Sequence, residues 1–255
     1  MSNSAQQPPH TPLERFAGLT SELLWLSLSA GAGLLLIFVL GFAGLLPMDP
    51  EQASPGAILA GPLLIGTAGF AYSRIERLRD EGHPPLAPFG SKRGGGGKQP
   101  SDIPGGLMIA AAAILAATAG SMLLSLLQKF ALSTEVEEQA TILDLVRRGD
   151  PIELTLLAVS AVILAPITEE LLFRGMFFRR LHQHVGPIAA WTLPALAFAL
   201  SHGNFVGLAV YFWLGSVFAV AYAYSGRLWV AMLAHAGHNG FALAMLLIAP
   251  EAIPS

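Results

Sequence analysis

Seven apolar runs dominate this chain, at 22–46, 57–73, 106–130, 153–173, 187–203, 205–224 and 228–249. Most are near the length of about 20 residues that a helix needs to cross the hydrocarbon core of a bilayer. Lipid offers no partner to an exposed peptide group, so such runs cross as helices whose backbone bonds close internally. The fold class that follows is all-α, a polytopic transmembrane bundle of about seven membrane helices. An eighth, short or re-entrant, has room in 131–152 or near Pro166. Composition agrees: 53% of the 255 residues are hydrophobic, 12% are charged, and mean hydropathy is +0.58, where a soluble domain carries roughly 25% charged residues. The first run is too long for a signal-peptide core and reads as a retained span.

Four segments are expected. Residues 1–20 form a mobile polar tail, and 21–131 hold N-terminal membrane helices joined by a flexible, glycine-rich loop at 74–105. Residues 132–152 form an interfacial segment, because Val136, Ala140, Leu143 and Val146 share one helical face within 133–148. Residues 153–249 form a core. Lysine and arginine concentrate in 74–105, 174–186 and at Arg227, whereas 47–56 and 202–204 hold none, which places the N-terminus in the cytoplasm. Lys129, Arg147 and Arg148 run against that bias. A net charge of −3 without a basic patch gives no nucleic-acid signal, and the absence of cysteine excludes disulfides, a thiol nucleophile and Cys-ligated zinc.

Charges inside the fourth run need an explanation. In "PITEELLFRG" (166–175), Glu170 and Arg174 stand four apart with the acid first, the favourable order for an ion pair on one helical face. Glu169 is rotated about 100° away, with no partner at helical spacing. An ionisable group at bilayer depth costs roughly 2.5–3.5 kcal/mol and is by default a functional candidate. Pro166 followed by Thr168 reads as a break and N-cap with both acids in the first turn. The plainer alternative is that these charges mark the end of a span. Two further apolar helices shift the balance, since "FALSH" (198–202) carries Phe198 and His202, and "HAGHN" (235–239) carries His235 and Asn239 four apart. A carboxylate near an imidazole can activate water, and an imidazole with an amide can donate to an oxyanion. One Glu with two or three His can equally hold a divalent metal, and spacing alone does not separate these chemistries.

Glu-Glu-x-x-x-Arg, Phe-x-x-x-His and His-x-x-x-Asn, in that order on apolar helices within 153–248, resemble the CPBP (Abi, or type II CAAX prenyl endopeptidase) family of intramembrane proteases. The resemblance implies Glu169 as the general base and His202 as a group that holds and polarises the water. It implies His235 and Asn239 as oxyanion donors or members of a metal site, with Glu170 and Arg174 as a supporting pair and Phe198 as part of its motif. A divalent metal such as Zn2+, held by Glu169, His202 and His235, stays open as an alternative to a metal-free glutamate mechanism, and His238 is a further candidate ligand. The implied partners are the bilayer and a protein or peptide substrate, prenylated in some members. On a straight seven-span arrangement His202 falls toward the opposite end of its span from Glu169 and His235. Their union requires 187–203 to be short or steeply tilted, or the chain to break at Pro166. The expectation is a shared cavity open to the cytoplasm.

Other intramembrane chemistries leave marks that are missing. There is no His-Glu-x-x-His, and all five aspartates lie in loops by this reading. Ser216 in "GSVF" suits a helix contact better than a serine nucleophile. The rival from another class is a transporter or scaffold in which the same groups form a proton relay or a degenerate site.

Overall fold

The structure, a computed structural model, describes residues 11–46, 54–80, 102–132 and 140–248. These form eight helices and, among the described residues, no strand: α1 (Pro12–Phe42), α2 (Pro55–Arg79), α3 (Ile103–Leu132), α4 (Ala140–Arg148), α5 (Pro151–His184), α6 (Pro187–Ser201), α7 (Leu208–Ser225) and α8 (Leu228–Ile248). α1, α2, α3, α5, α7 and α8 are long and apolar enough to span a bilayer, and α6 is a shorter apolar helix of 15 residues. The chain is an integral membrane helix bundle.

Local chemistry moves several boundaries from where hydropathy puts them. Thr11 accepts from the Glu14 N–H at 3.3 Å while Glu14 Oε2 accepts from the Thr11 N–H at 2.7 Å, a capping box that starts α1 at Pro12. The expected polar tail of 1–20 is therefore helical from Pro12, and its first ten residues lie outside the described ones. Residues 74–79, assigned above to the flexible loop, are the last turns of α2, and 81–101 are outside the described residues. Residues 174–184 likewise continue α5 instead of linking two spans. Ion pairs explain both extensions. Arg179 meets Glu76 at 2.8 Å, and Arg180 meets Glu76 at 3.0 Å and Asp80 at 2.6 Å, so the charged ends of α2 and α5 hold each other. Of the interfacial segment, 133–139 lie outside the described residues. α4 turns Leu145 and Val146, with Ile142, onto Ile58, Leu157 and Leu243, a face rotated from the one expected.

The helix ends that carry Arg79, Arg179 and Arg180 meet at one end of the bundle. The start of α1 reaches the end of α2 through Arg79, which pairs with buried Glu22 at 2.8 Å, and Tyr72 donates to the same carboxylate. The start of α8 sits beside α5, where Leu228 faces Gly175, and the start of α3 sits under Trp229 at Gly106. Small residues set the crossings, as membrane bundles require when packing alone must hold helices together. Gly33 lets α1 ride on the Leu64 carbonyl of α2, Gly120 receives the Trp213 ring, and Gly215 brings α7 onto Ala195 of α6.

This packing makes a contrast on one helix. A methyl at Gly33 runs into the backbone of Leu64, whereas one at Gly31 meets nothing. Gly33→Ala is expected to cost about 1–3 kcal/mol and lower the unfolding midpoint in detergent, and Gly31→Ala to hold or raise it. Equal midpoints for the two variants would show that α1 does not pack on α2 in this way.

Candidate functional site

The site is built on α5, which does not break at Pro166. It runs continuously from Pro151 to His184, with two π-helical stretches, Ser160–Leu164 and Leu171–Phe178, on either side of the acidic pair. Proline in a helix lacks an N–H and crowds the carbonyl four residues back, and a π turn relieves the crowding. The Ala165 N–H consequently donates to Ser160 O. Thr168 does not cap a new helix. Its hydroxyl donates back to the Leu164 and Ala165 carbonyls at 2.9 and 3.2 Å, the arrangement of a mid-helix threonine.

From this helix Arg174, fully buried, points into the centre of the bundle. Its Nη1 donates to Glu170 Oε1 at 2.8 Å and its Nη2 to the Gly215 carbonyl of α7 at 2.6 Å. The guanidinium lies 5.0 Å from the Phe198 ring centre and 5.7 Å from that of Phe218, close enough for cation–π attraction from both. Glu170 Oε1 also accepts from His235 Nδ1 at 3.0 Å. An ionised carboxylate only accepts, so Nδ1 carries the proton and Nε2 is left for other work. The His235 ring stacks on Phe218 at 4.6 Å and meets the edge of Phe198 at 5.5 Å. The ion pair read from the sequence is therefore present. The partners that sequence reasoning missed are the Gly215 carbonyl, Phe218 and the His235 bond to Glu170; only the phenylalanines left a signal, as aromatic positions on neighbouring runs.

Glu169 stands apart from this network. Its Oε2 is buried and, among the described residues, accepts no hydrogen bond. It lies one turn before Phe173 on the same face, and Phe173 packs edge-on against Phe198 at 5.8 Å. This contact joins α5 to α6 four residues after Glu169 and four residues before His202. His202 Nδ1 donates to the Phe198 carbonyl at 2.8 Å, which leaves Nε2 as a lone-pair acceptor. Its ring stacks on Tyr211 at 4.2 Å and packs on Phe198 at 4.7 Å. Phe198 thus touches both imidazoles. The shortness of α6, and not a break at Pro166, keeps His202 inside the bundle.

The other expected groups are placed differently. Asn239 Nδ2 donates to the Ala161 carbonyl of the first π stretch at 2.9 Å, which leaves its second amide hydrogen for any oxyanion. His238 faces α3, with Nδ1 at 3.3 Å from Thr118 Oγ1, away from the acidic pair. Among the described residues no three His, Asp or Glu side chains converge as a metal would need. The set Glu169, His202 and His235 has suitable donor atoms but is not arranged as a metal cage. A cleft of about 260 Å³ runs between α2 and α5, past Gly66, Gly69, Phe70, Thr168 and Leu171, and none of the three groups lines it. Ser216 is buried at the α6–α7 crossing, where its carbonyl accepts from Trp191 Nε1 at 3.4 Å.

Residues 151–241 match the profile of the family described as "Type II CAAX prenyl endopeptidase Rce1-like". The "Membrane-embedded CAAX protease MroQ" of Staphylococcus aureus (strain USA300) is 37% identical over 97 residues, 36% of this chain and 39% of its own length. The "Putative membrane peptidase YdiL" of Bacillus subtilis (strain 168) is 30% identical over 118 residues, 46% of each chain. The chain thus spans less than half the length of these curated relatives. No solved structure matches it. The matched region contains Glu169, Glu170, Arg174, His202, His235 and Asn239 together, and over residues 151–241 the chain is similar to the Rce1-like type II CAAX prenyl endopeptidases, the CPBP family.

Proposed function

We propose that the chain is an intramembrane endopeptidase that hydrolyses a peptide bond of a membrane-associated, lipidated or apolar protein by glutamate-activated water. One observation carries this reading. Two adjacent acids sit in the middle of an apolar helix, each with one buried oxygen that accepts no hydrogen bond among the described residues, but a guanidinium and an imidazole bind Glu170 and neither binds Glu169. A carboxylate held at depth without a structural partner is equipped as a base.

The roles follow from which atoms are already occupied. The water donates one hydrogen to Glu169 and the other to His202 Nε2, which leaves an oxygen lone pair free for the scissile carbonyl carbon. As the C–O bond forms, Glu169 takes the proton, and it returns that proton to the amide nitrogen when the C–N bond breaks. His235, its Nδ1–H fixed on Glu170, offers Nε2; in the protonated form this atom donates to the oxyanion, and Glu170 supports the imidazolium. Glu170 and Arg174 touch no reacting atom in this scheme. A Zn2+ ion would supply Lewis-acid activation of the same water, but the donor arrangement described above assigns it no step. One bacterial relative is named a CAAX protease, which supports a substrate with a CAAX-type C-terminus. The concentration of lysine and arginine in 74–105, 174–186 and at Arg227 supports a cytoplasmic N-terminus in a bacterial-type plasma membrane.

Two variants separate chemistry from scaffold. Glu169→Gln is expected to lower cleavage of an apolar or prenylated peptide in proteoliposomes by roughly 10²–10⁴-fold with an unchanged unfolding midpoint. Full activity in that variant would remove Glu169 from the reaction, and substrate flux without any cleaved product would make the groups a transport relay. Arg174→Met strands the Glu170 carboxylate in the core and is expected to cost about 3–5 kcal/mol. Glu170→Gln/Arg174→Met, which removes both charges, should unfold later than Arg174→Met alone; an earlier midpoint would mean that the pair is not the source of the loss.

A further inference from the structure

The carbonyl of Ala161 has lost both of its possible helix partners. In an α-helix it would accept from the Ala165 N–H, but that hydrogen is given to Ser160 O. In a π turn it would accept from residue 166, which is proline and has none. A polar group without a partner in an apolar bundle is costly, and the donor supplied comes from α8, Asn239 Nδ2 at 2.9 Å. The other flank of the turn is tied to α2, where Ser160 Oγ donates to the Ile58 carbonyl at 2.8 Å.

We infer that Asn239 is a positioning residue, which locks the π turn of α5 through the Ala161 carbonyl and so decides which of the two adjacent acids faces the reaction. Without that donor, the carbonyl regains a partner if the Ala165 N–H returns to it, which rewinds the π turn to α geometry. Rewinding removes about one residue of phase, roughly 100°, from everything that follows. Each later residue then takes the direction formerly held by the one after it. Glu169 turns to where Glu170 was, and Glu170 turns to where Leu171 was, beside α2 and lipid. The two carboxylates are consecutive, so a slip of one residue exchanges the base for its neighbour. The consequence for catalysis rests on Glu169 being the base, but the geometry does not.

The chain has no cysteine, so the rotation can be read by cross-linking in native membranes. A Cβ at Gly69 lies 3.9 Å from that of Leu172, within the range a disulfide spans. Gly69→Cys/Leu172→Cys should oxidise readily, and Gly69→Cys/Leu171→Cys poorly, read by a maleimide–polyethylene glycol gel shift. Adding Asn239→Ala should reverse that preference, at least threefold in each yield, and lower kcat far more than it raises KM. Adding Pro166→Ala as well restores an N–H that reaches Ala161 in the π register; this should return the cross-link to position 172 and recover kcat at least tenfold. Where Asn239→Ala does not accumulate in membranes, Asn239→Leu, of similar size and without any donor, takes its place. An unchanged preference for position 172 without the amide overturns the inference whether or not the protein cleaves anything. A reversal that persists after Pro166→Ala overturns it too, since the Ala161 carbonyl would then not be its cause. Loss of Glu169 chemistry with a normal cross-linking pattern would instead count against the proposed hydrolysis alone.

Discussion

A guanidinium with no exposure to solvent, in the middle of a membrane bundle, is the constraint that the rest of the structure answers to. Arg174 cannot shed its proton, so the charge must be met by the protein. Glu170 meets it electrostatically, the Gly215 carbonyl takes a second hydrogen, and the faces of Phe198 and Phe218 take up the rest. These partners lie on α5, α6 and α7, and His235 joins from α8 through Glu170. One cation therefore fixes the mutual register of the four helices that carry every candidate residue. Breaking such a cluster on one side leaves a buried charge, which gives the core a reason to keep a single arrangement.

Close backbone approach makes that cluster possible. Arg174 reaches the Gly215 carbonyl at the crossing where Gly215 brings α7 onto Ala195, while Trp213, two residues away, fills the notch at Gly120 and donates to Ala116. Hydrophobic burial does not drive helices together when the solvent is itself hydrocarbon. Shape and satisfied polar atoms take over that role, and α5 shows both, with its proline, its two π stretches and the donors that Asn239 and Ser160 exchange with neighbouring backbone.

The membrane class, the seven apolar helices and the Glu170–Arg174 pair were legible in the sequence because each depends on local composition or on spacing along one helix. The isolation of Glu169 was legible for the same reason. What could not be read was set by other helices. The phase of α5 beyond Pro166 depends on a donor 78 residues away, so the proline looked like a break. The charged turn after residue 73 looked like loop because its partners, Arg179 and Arg180, are about 100 residues distant. His235 was expected as an oxyanion donor or a member of a metal site, and its anchoring through Nδ1 on Glu170 was not foreseen, because no spacing rule distinguishes two neighbouring carboxylates as seen from another helix. His238 shares a short motif with His235 and Asn239, yet it faces α3, because adjacent residues on one helix diverge.

α6 has 15 residues, so its axis is about 22 Å long against a hydrocarbon thickness of about 30 Å. Lipid beside this helix faces a hydrophobic mismatch that it can relieve only by thinning, by drawing headgroups inward or by tilt of the helix. The deficit lies on the flank of the bundle that ends at His202. Among the described apolar helices α6 is the shortest of those in the bundle wall, so for the hydrolysis proposed above the thinned hydrocarbon beside it is the short way in for water or a polar stretch of peptide.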